Sequence, residues 1–442
     1  APLWQIRARQ VIHDQEERQI YFEDAQFLIR DVPVFYLPRL RLPDPTLDRA
    51  TGFLIPSIRQ DSQLGTGLKI PYFIKMGDHR DLTLTPYLSG STRTLEWRYR
   101  QAFVPGRIVF EGAVSRDDIR PDETRAYVFG AGNFELKRDF VLAFDIEATT
   151  DEAYLLDYGY SDKDRLDSEL RLSRTRRDEY LQFSLINFES LRDGEDNALI
   201  PTVVLDAIYE GRFFPTSIGG ELRVNANAHG HYRTSDLNEL GRDVNRVNAQ
   251  ADWLRHWILT GGMRVDTTVG AALDLFNISQ DDSFPSTQSQ ATPYASVALR
   301  YPMVRRAGAG VTHYLEPTAQ IGWTGANQLN VPNEESQRQE FDEGNLLSLS
   351  RFPEADRRER GVVSAFGINW SRFATEGWDA HVTLGQGVRN EANPSVTRTS
   401  GLTGTASDCL VAAQGNSTAE RAVGRRSLCS DDEDFSKAAI RG

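Results

Sequence analysis

The feature that most constrains this chain is a two-residue alternation of apolar and polar side chains, repeated along most of its length. Leu222, Val224 and Ala226 alternate with Glu221, Arg223 and Asn225. Alternation with this period puts the two classes of side chain on opposite faces of a β-strand. No apolar run reaches the ~18–20 residues of a membrane-spanning helix, and no amphipathic helix of several turns is evident. The sequence therefore predicts an all-β, antiparallel protein.

The polar face of these strands carries many charges, which bears on the surroundings of the sheet. Glu96 and Arg98 alternate with Leu95 and Trp97, and Asp145 lies between Phe144 and Ile146. A face with so many charges must be solvated, and a soluble sheet of many such strands would leave a large apolar face open. A β-barrel turns the apolar face to lipid and the charges to a watery lumen. We therefore predict a large transmembrane β-barrel, with a soluble β-sandwich or β-helix as the alternatives.

The connections between strands support this layout. Some are short, such as Met76–Asp81 and Lys137–Asp139, and others are long and polar, such as Asp281–Gln290 and Gln328–Glu343. Short turns at one end and long loops at the other are typical of outer-membrane barrels. At roughly 20 residues for each strand with its turn, the chain predicts about 18–20 strands.

Charge and cysteine content exclude some classes of protein. Lys and Arg number 50 against 63 Asp and Glu, and the net charge of -13 argues against a nucleic-acid partner. The only cysteines are Cys409 and Cys429, which form one disulfide or remain free thiols.

The N-terminal segment differs from the rest. The sequence of residues 1–31 predicts short strands, which we interpret as part of a periplasmic β-domain. Proline then recurs at 33, 38, 43 and 45. Because proline lacks the N–H of the ladder and fixes φ, we predict a stiff linker at 32–50. The barrel is expected over 51–442, with its last strands missing from the chain.

Several motifs resemble, in the same order, those of the lipopolysaccharide-assembly (LptD/OstA) family. They include Pro33–Pro38, Arg49–Pro56, Leu68–Tyr72, Asp81–Pro86, His313–Pro317, Asn345–Phe352 and Gly367–Trp370. The resemblance covers essentially the whole chain. It implies that 1–31 is the end of a periplasmic jelly roll, and that the barrel delivers lipopolysaccharide to the outer leaflet of a Gram-negative outer membrane. The implied partners are lipopolysaccharide, a plug lipoprotein in the lumen and a periplasmic bridge protein.

Pro56 and Pro71 are the candidate gate residues. Each lies inside a strand-like run, Gly52–Arg59 or Gly67–Ile74. A proline removes a ladder hydrogen bond, so these two would weaken pairing in the first strands and let lipid leave sideways. The resemblance implies the same role. The alternative is an ordinary accommodation at the edge of a sheet.

The remaining candidates are charged residues predicted to face the lumen. They are Glu111, Asp145, Glu169, Arg171, Glu221 and Arg223. They would contact sugars and phosphates or the plug, or simply line a solvated wall. His229 and His231 point to one strand face, but no third metal ligand is near in the sequence. We expect no metal, no cofactor and no enzymatic site, because no nucleophile–base cluster is evident. The alternative function is a porin or nutrient channel without lateral gating.

Overall fold

The computed structural model describes residues 4–16, 18–29, 32–44, 49–308, 310–325, 327, 329–337, 339–390, 407–417 and 420–426. The described residues form 26 β-strands, one 3₁₀ turn and one short α-helix. The strands, all antiparallel where their partners are given below, are β1 (Trp4–Arg7), β2 (Gln10–Asp14), β3 (Gln19–Ile29), β4 (Val32–Pro43), β5 (Gly52–Phe53), β6 (Ser57–Asp61), β7 (Gly65–Lys69), β8 (Tyr72–Lys75), β9 (Arg80–Leu88), β10 (Thr92–Phe103), β11 (Gly106–Asp117), β12 (Arg125–Glu135), β13 (Phe140–Thr149), β14 (Arg165–Arg176), β15 (Glu179–Ser190), β16 (Val203–Phe213), β17 (Glu221–Tyr232), β18 (Asp243–Ile258), β19 (Arg264–Ser279), β20 (Thr287–Arg300), β21 (Met303–Ala307), β22 (Val311–Thr324), β23 (Gly361–Ala374), β24 (Asp379–Arg389), β25 (Ser407–Ser417) and β26 (Glu420–Arg426). The prediction of an all-β, antiparallel chain is confirmed.

The chain divides into two compact units. The first comprises residues 1–172 and 185–197, and the second comprises residues 173–184 and 198–442. Strands β14 and β15 cross from one unit to the other.

The first unit begins with a separate four-stranded sheet, in which β3 pairs with β1, β2 and β4. The segment predicted as a proline-rich linker, 32–50, is therefore a strand over its first part, and that prediction needs correction. Among the described strands β4 pairs with β3 alone, so it is an edge strand that uses only part of its backbone in the ladder. An edge tolerates proline because a missing N–H on the open side breaks no bond.

In the rest of the first unit, β9 to β13 pair in sequence order as a meander. The turns at 104–105 and 136–139 lie at one end of these strands, and the latter contains the 3₁₀ turn Lys137–Asp139. The loops at 118–124 and 150–164 lie at the other end, and the second loop contains helix α1 (Tyr154–Asp157). The predicted turn at 76–81 corresponds to the connection 76–79 between β8 and β9.

In the second unit, β16 to β20 and β22 to β26 pair with their neighbours along the chain. The connections 214–220, 259–263 and 375–378 lie at one end of the strands. The connections 233–242 and 280–286, and the described residues of the much longer connection between β22 and β23, lie at the other. This separation of short turns from long loops agrees with the sequence prediction. Cys429 and the end of the chain, 427–442, lie outside the described residues.

None of the helices in the described part of the chain has the length and hydropathy needed to cross a membrane.

Candidate functional site

The strands of the second unit bury their polar face and expose their apolar face. In β19, Asp274 is 1% exposed, whereas its apolar neighbour Leu273 is 46% exposed. In β22, Thr318 and Gln320 are buried while Ile321 is exposed. A soluble sheet shows the opposite arrangement. The polar face must therefore be covered by protein, and the covering segment defines the candidate site.

The cover is the long connection between β22 and β23. Its described residues 329–337 and 339–360, here called the strap, run over the polar face of β17 to β24. Gln320 on β22 donates a 2.7 Å hydrogen bond to the Leu347 carbonyl of the strap. Part of this segment, Gln328–Glu343, was predicted only as a long polar loop.

A buried ionic cluster fixes the C-terminal part of the strap, residues 346–359, here called the root. Glu359 is 1% exposed and accepts hydrogen bonds from Arg351 at 3.2 Å and from Arg389 of β24 at 2.7 Å. Beside this cluster, Arg358 donates two 2.8 Å bonds to Asp274 of β19. Buried charges persist only when paired, so these contacts specify where the root docks.

Glycines on the polar face make room for an apolar side chain of the root. Leu346 is buried against Gly367 of β23 and Gly385 of β24, which lie opposite each other in the register. A Cβ at Gly367 would stand 2.6 Å from the tip of Leu346, and one at Gly385 would stand 2.8 Å from it. Any larger residue at either glycine must therefore displace Leu346.

The N-terminal part of the strap, residues 329–337, is here called the lid, and it is held by acidic residues. Glu334 accepts hydrogen bonds of 2.9 and 2.6 Å from Arg242, and its carboxylate lies 2.8 Å from His231 Nε2. Glu335 accepts a 3.2 Å bond from Arg246. Burial raises the pKa of Glu334, but the contacts with His231 and Arg242 outweigh it and lower the pKa to about 2. The lid is thus docked through an ionised carboxylate.

Between the root and the polar face of β16 to β20 lies a cavity of about 680 Å³. Its wall offers amides, hydroxyls, carboxylates and guanidinium groups from residues that include Tyr209, Arg223, Asn225, Asn248, Gln250, Asp252 and Tyr294. Many of these groups are already oriented by each other. Asn248 donates to Asp274 at 2.8 Å, and Gln250 donates to Asp252 at 2.8 Å. Such a wall suits a hydroxyl-rich ligand, because it presents fixed donors and acceptors at many points.

A smaller inward-packed loop occurs in the first unit. Tyr154 and Tyr158, in and beside helix α1, are fully buried near Arg125, which donates bonds of 2.8 and 2.7 Å to Asp151 and Asp157. Tyr158 donates a 2.8 Å bond to Asp117 of β11. Nothing in the sequence pointed to this cluster, because its partners are separated along the chain.

Pro56 and Pro71 lie in matching interruptions of two paired strands. Residues 54–56 separate β5 from β6, and residues 70–71 separate β7 from β8. The flanking registers pair Phe53 with Tyr72 and Ser57 with Lys69, so three residues stand opposite two. The Leu54 N–H donates a 2.9 Å bond to the Pro71 carbonyl across the interruption. The strand-like runs predicted at both prolines are therefore broken at the prolines themselves.

The six charged candidates lie on four strands and are not assembled into one cluster. Arg223 lines the cavity and donates to Glu221 at 2.7 Å. Arg171 pairs with Glu169 two residues before it on β14. Glu111 stands opposite Arg98 and Phe129, and Asp145 stands opposite Ala131. Their role as lumen contacts stays a prediction.

The histidine pair has more partners than its sequence neighbourhood suggested. His229 Nδ1 lies 2.7 Å from Asp206, and His229 Nε2 lies 3.4 Å from Glu335 of the lid. Among the described residues, no group of three His, Cys, Asp or Glu side chains is arranged to hold a metal ion. Glu335 is instead engaged by Arg246.

Comparison with known proteins gives a consistent result. Residues 123–427 match the family model described as "LptD: LPS transport system D". The chain is 26% identical over 335 residues to the LPS-assembly protein LptD of Pseudoalteromonas atlantica, covering 73% of this chain and 43% of that protein. It is 33% identical over 162 residues to the LPS-assembly protein LptD of Nitrosococcus oceani, covering 36% of this chain and 21% of that protein. The chain thus spans less than half the length of these relatives. A crystal structure of BamA from Haemophilus ducreyi lacking POTRA domains 1–3 aligns over 86% of this chain and 72% of that one, at 9% identity and a TM-score of 0.24.

Proposed function

The chain belongs to the LptD family, and from this premise we propose that the complete protein carries lipopolysaccharide across the outer membrane of a Gram-negative bacterium. The lipid enters the outer leaflet through a lateral gate in a transmembrane β-barrel. The observation that carries the proposal is the family match over residues 123–427.

The distribution of polar and apolar residues supports a barrel in a membrane. Exposed Leu273 and Ile321 lie on one face of the strands, and buried Asp274 and Gln320 lie on the other. Lipid accepts the first face, and a polar interior accepts the second. A porin has the same distribution, so the polarity of the strands does not decide between the two functions.

The cavity supports passage of the saccharide part of the ligand. Its wall resembles the polar surfaces on which sugars bind, since amides and carboxylates alternate with tyrosine hydroxyls. The acyl chains have no place in such a wall and must leave sideways into the bilayer.

We assign the exit to the first strands, where Pro56 and Pro71 interrupt β5–β6 and β7–β8 at the same level. In lipid no water replaces a lost ladder bond, so an ordinary seam opens only at high cost. A region in which prolines remove some of those bonds opens more readily, because fewer bonds are broken. Ile55 is 89% exposed at this point, as a lipid-facing residue would be.

The domain and partner assignments are part of the same proposal. Residues 1–31 belong to a periplasmic jelly roll that receives lipopolysaccharide from a bridge protein, and a lipoprotein plugs the lumen of the barrel. The protein acts in transport and has no catalytic role.

The test is the double variant Pro56→Ala with Pro71→Ala in the full-length protein. The variant should fold at least as stably and yet place less lipopolysaccharide on the cell surface, because two donors are restored at the gate. Surface lipopolysaccharide and heat-modifiable gel mobility are measured in cells carrying only the variant. The matched control is Pro317→Ala, which restores a donor inside β22.

Normal export by a folded double variant would exclude the proline gate while leaving the barrel in place. Normal surface lipopolysaccharide after depletion of the whole protein would instead favour the porin alternative.

A further inference from the structure

The two parts of the strap are attached in different ways. In the root, the Arg351 and Glu359 side chains are 2% and 1% exposed. In the lid, the carboxylates of Glu334 and Glu335 belong to side chains that are 21% and 26% exposed. Water and ions compete for the second set of contacts and hardly reach the first. The lid also buries one apolar side chain, Val331, against Val244 and Phe276. Because its ionic contacts are the accessible ones, the lid is the part expected to detach first.

The lid lies at the long-loop end of its strands. His231 is the penultimate residue of β17, and Arg242 directly precedes β18. The cavity lies further along the same strands, at residues such as Asn225 and Gln250. The lid therefore lies on the long-loop side of the cavity, whose own lining comes from the strands and the root.

The wall beneath the lid is rich in hydrogen-bond donors directed at its carboxylates. Arg242, Arg246 and His231 meet Glu334 or Glu335 within 2.6 to 3.2 Å, and Arg233 lies 3.7 Å from Glu334. Fixed acids also face this wall. Asp206 pairs with His229, Asp281 with Arg242 and Glu354 with Arg246. Without the lid, Arg242 keeps Asp281 and His231 keeps the contact between its Nδ1 and His229, while Arg242 Nε and His231 Nε2 lose the Glu334 carboxylate.

We propose that this wall is a binding site for the phosphate groups of a phosphorylated saccharide, and that Glu334 and Glu335 occupy it as an internal substitute until the lid moves. Phosphate supplies the oxygen acceptors that arginine binds in bidentate fashion, so it replaces both carboxylates at once. An unphosphorylated sugar lacks this charge and leaves the lid docked. The inference rests on the proposed function for the identity of the ligand, but not for the motion of the lid.

The first experiment measures the motion without requiring export. Val331 of the lid is 1% exposed and packs against Val244 of β18 and Phe276 of β19, so a thiol at this position becomes accessible only when the lid moves. The purified full-length variant Val331→Cys is labelled with a fluorescent maleimide, with glucosamine 6-phosphate or glucosamine present. The parent protein treated in the same way corrects for labelling of Cys409 and Cys429.

The phosphorylated sugar should speed labelling and glucosamine should not. Adding Glu334→Gln and Glu335→Gln should speed labelling without any sugar. An equal rate in all these samples, or equal acceleration by both sugars, would overturn the proposal.

A second experiment links the lid to transport. Cysteines replace Gln288 of β20 and Asn330 of the lid, whose N–H donates a 3.1 Å bond to the Gln288 side chain. A short, reducible bis-thiol cross-linker joins the two thiols in cells, and surface lipopolysaccharide is measured. The matched control is Asn277→Cys with Thr287→Cys, which stand opposite each other on β19 and β20 at the same end of the sheet.

Cross-linking the lid should stop export and reduction should restore it, whereas the control pair should export normally throughout. Unchanged export with the lid joined would refute the proposed motion. If the parent protein itself supports no export, the proposed function fails. The labelling experiment still tests whether phosphate moves the lid.

Discussion

Substitution of Glu359 by glutamine should release the root of the strap without unfolding the strands. Glu359 is 1% exposed and stands between Arg351 and Arg389, which donate to it at 3.2 and 2.7 Å. Glutamine keeps the shape of the side chain and removes its charge. The variant therefore leaves two buried guanidinium groups without their shared counter-ion.

The magnitude follows from the burial of this cluster. Removing one partner of a buried ion pair costs about 3–5 kcal/mol, and the conserved shape of glutamine favours the lower value. Because each 1.4 kcal/mol is a factor of ten, docking of the root should weaken by roughly a hundredfold. The matched control is Glu169→Gln, whose partner Arg171 is largely exposed. An exposed pair contributes about 0–1 kcal/mol, so the control should change little.

Hydrogen exchange of the purified full-length protein tests this prediction. Peptides from the root, residues 346–359, should exchange faster in Glu359→Gln, while peptides from β22 and β23 keep their protection and heat-modifiable mobility is unchanged. Equal protection of the root in the variant and the parent would refute the assigned role of the buried cluster. Loss of the folded band would mean that the cluster stabilises the strands as well as the strap.

Three further outcomes follow from the same structure. Val224→Arg, on the lipid side of β17, should destabilise the protein by about 2–4 kcal/mol if the residue lies near the bilayer midplane, as measured by urea unfolding in vesicles. Gly385→Leu should displace Leu346, which stands 2.8 Å from a Cβ at this position, and should increase proteolysis of the strap. Acidification should undock the lid, as followed by the fluorescence anisotropy of a dye attached to Asn330→Cys beforehand at neutral pH. Because the pKa of Glu334 is lowered from 4.5 to about 2 in the docked state, its contribution is complete above about pH 4.5 and is lost as the pH falls through 2. Anisotropy that is independent of pH over this range would contradict the last of these.

The strands could be predicted because their signal is local. Alternation along β17 and β22 is visible in any short window, and the exposed and buried faces of β22 follow it. The linker prediction at 32–50 was wrong over β4 because proline content does not say whether a strand lies at an edge. Edge position depends on the neighbours of a strand, which the local sequence does not contain.

The strap could not be predicted in the same way, because its anchors are distant in sequence. Glu359 of the strap contacts Arg389 of β24. Arg246 contacts Glu354, which lies more than a hundred residues further along the sequence. Each of these charged residues, taken alone, is typical of a solvated loop or of a solvated barrel wall. The available signal was the glycines, since Gly322, Gly367 and Gly385 recur on adjacent strands. A glycine inside a strand marks close approach of another group.

The charges of the polar face thus divide into two classes that sequence composition does not distinguish. Glu169 and Arg171 neighbour each other on one strand and remain accessible, so water supplies most of their solvation. Asp274 is 1% exposed and would be strongly destabilised if Arg358 left it. A face that only lined a water-filled channel would need no such arginine from the opposite side. Burial of the acid, and the close approach of Leu346 to the glycines of β23 and β24, therefore indicate that this wall is built to receive its own loop, and that a ligand crossing here must pass or displace protein.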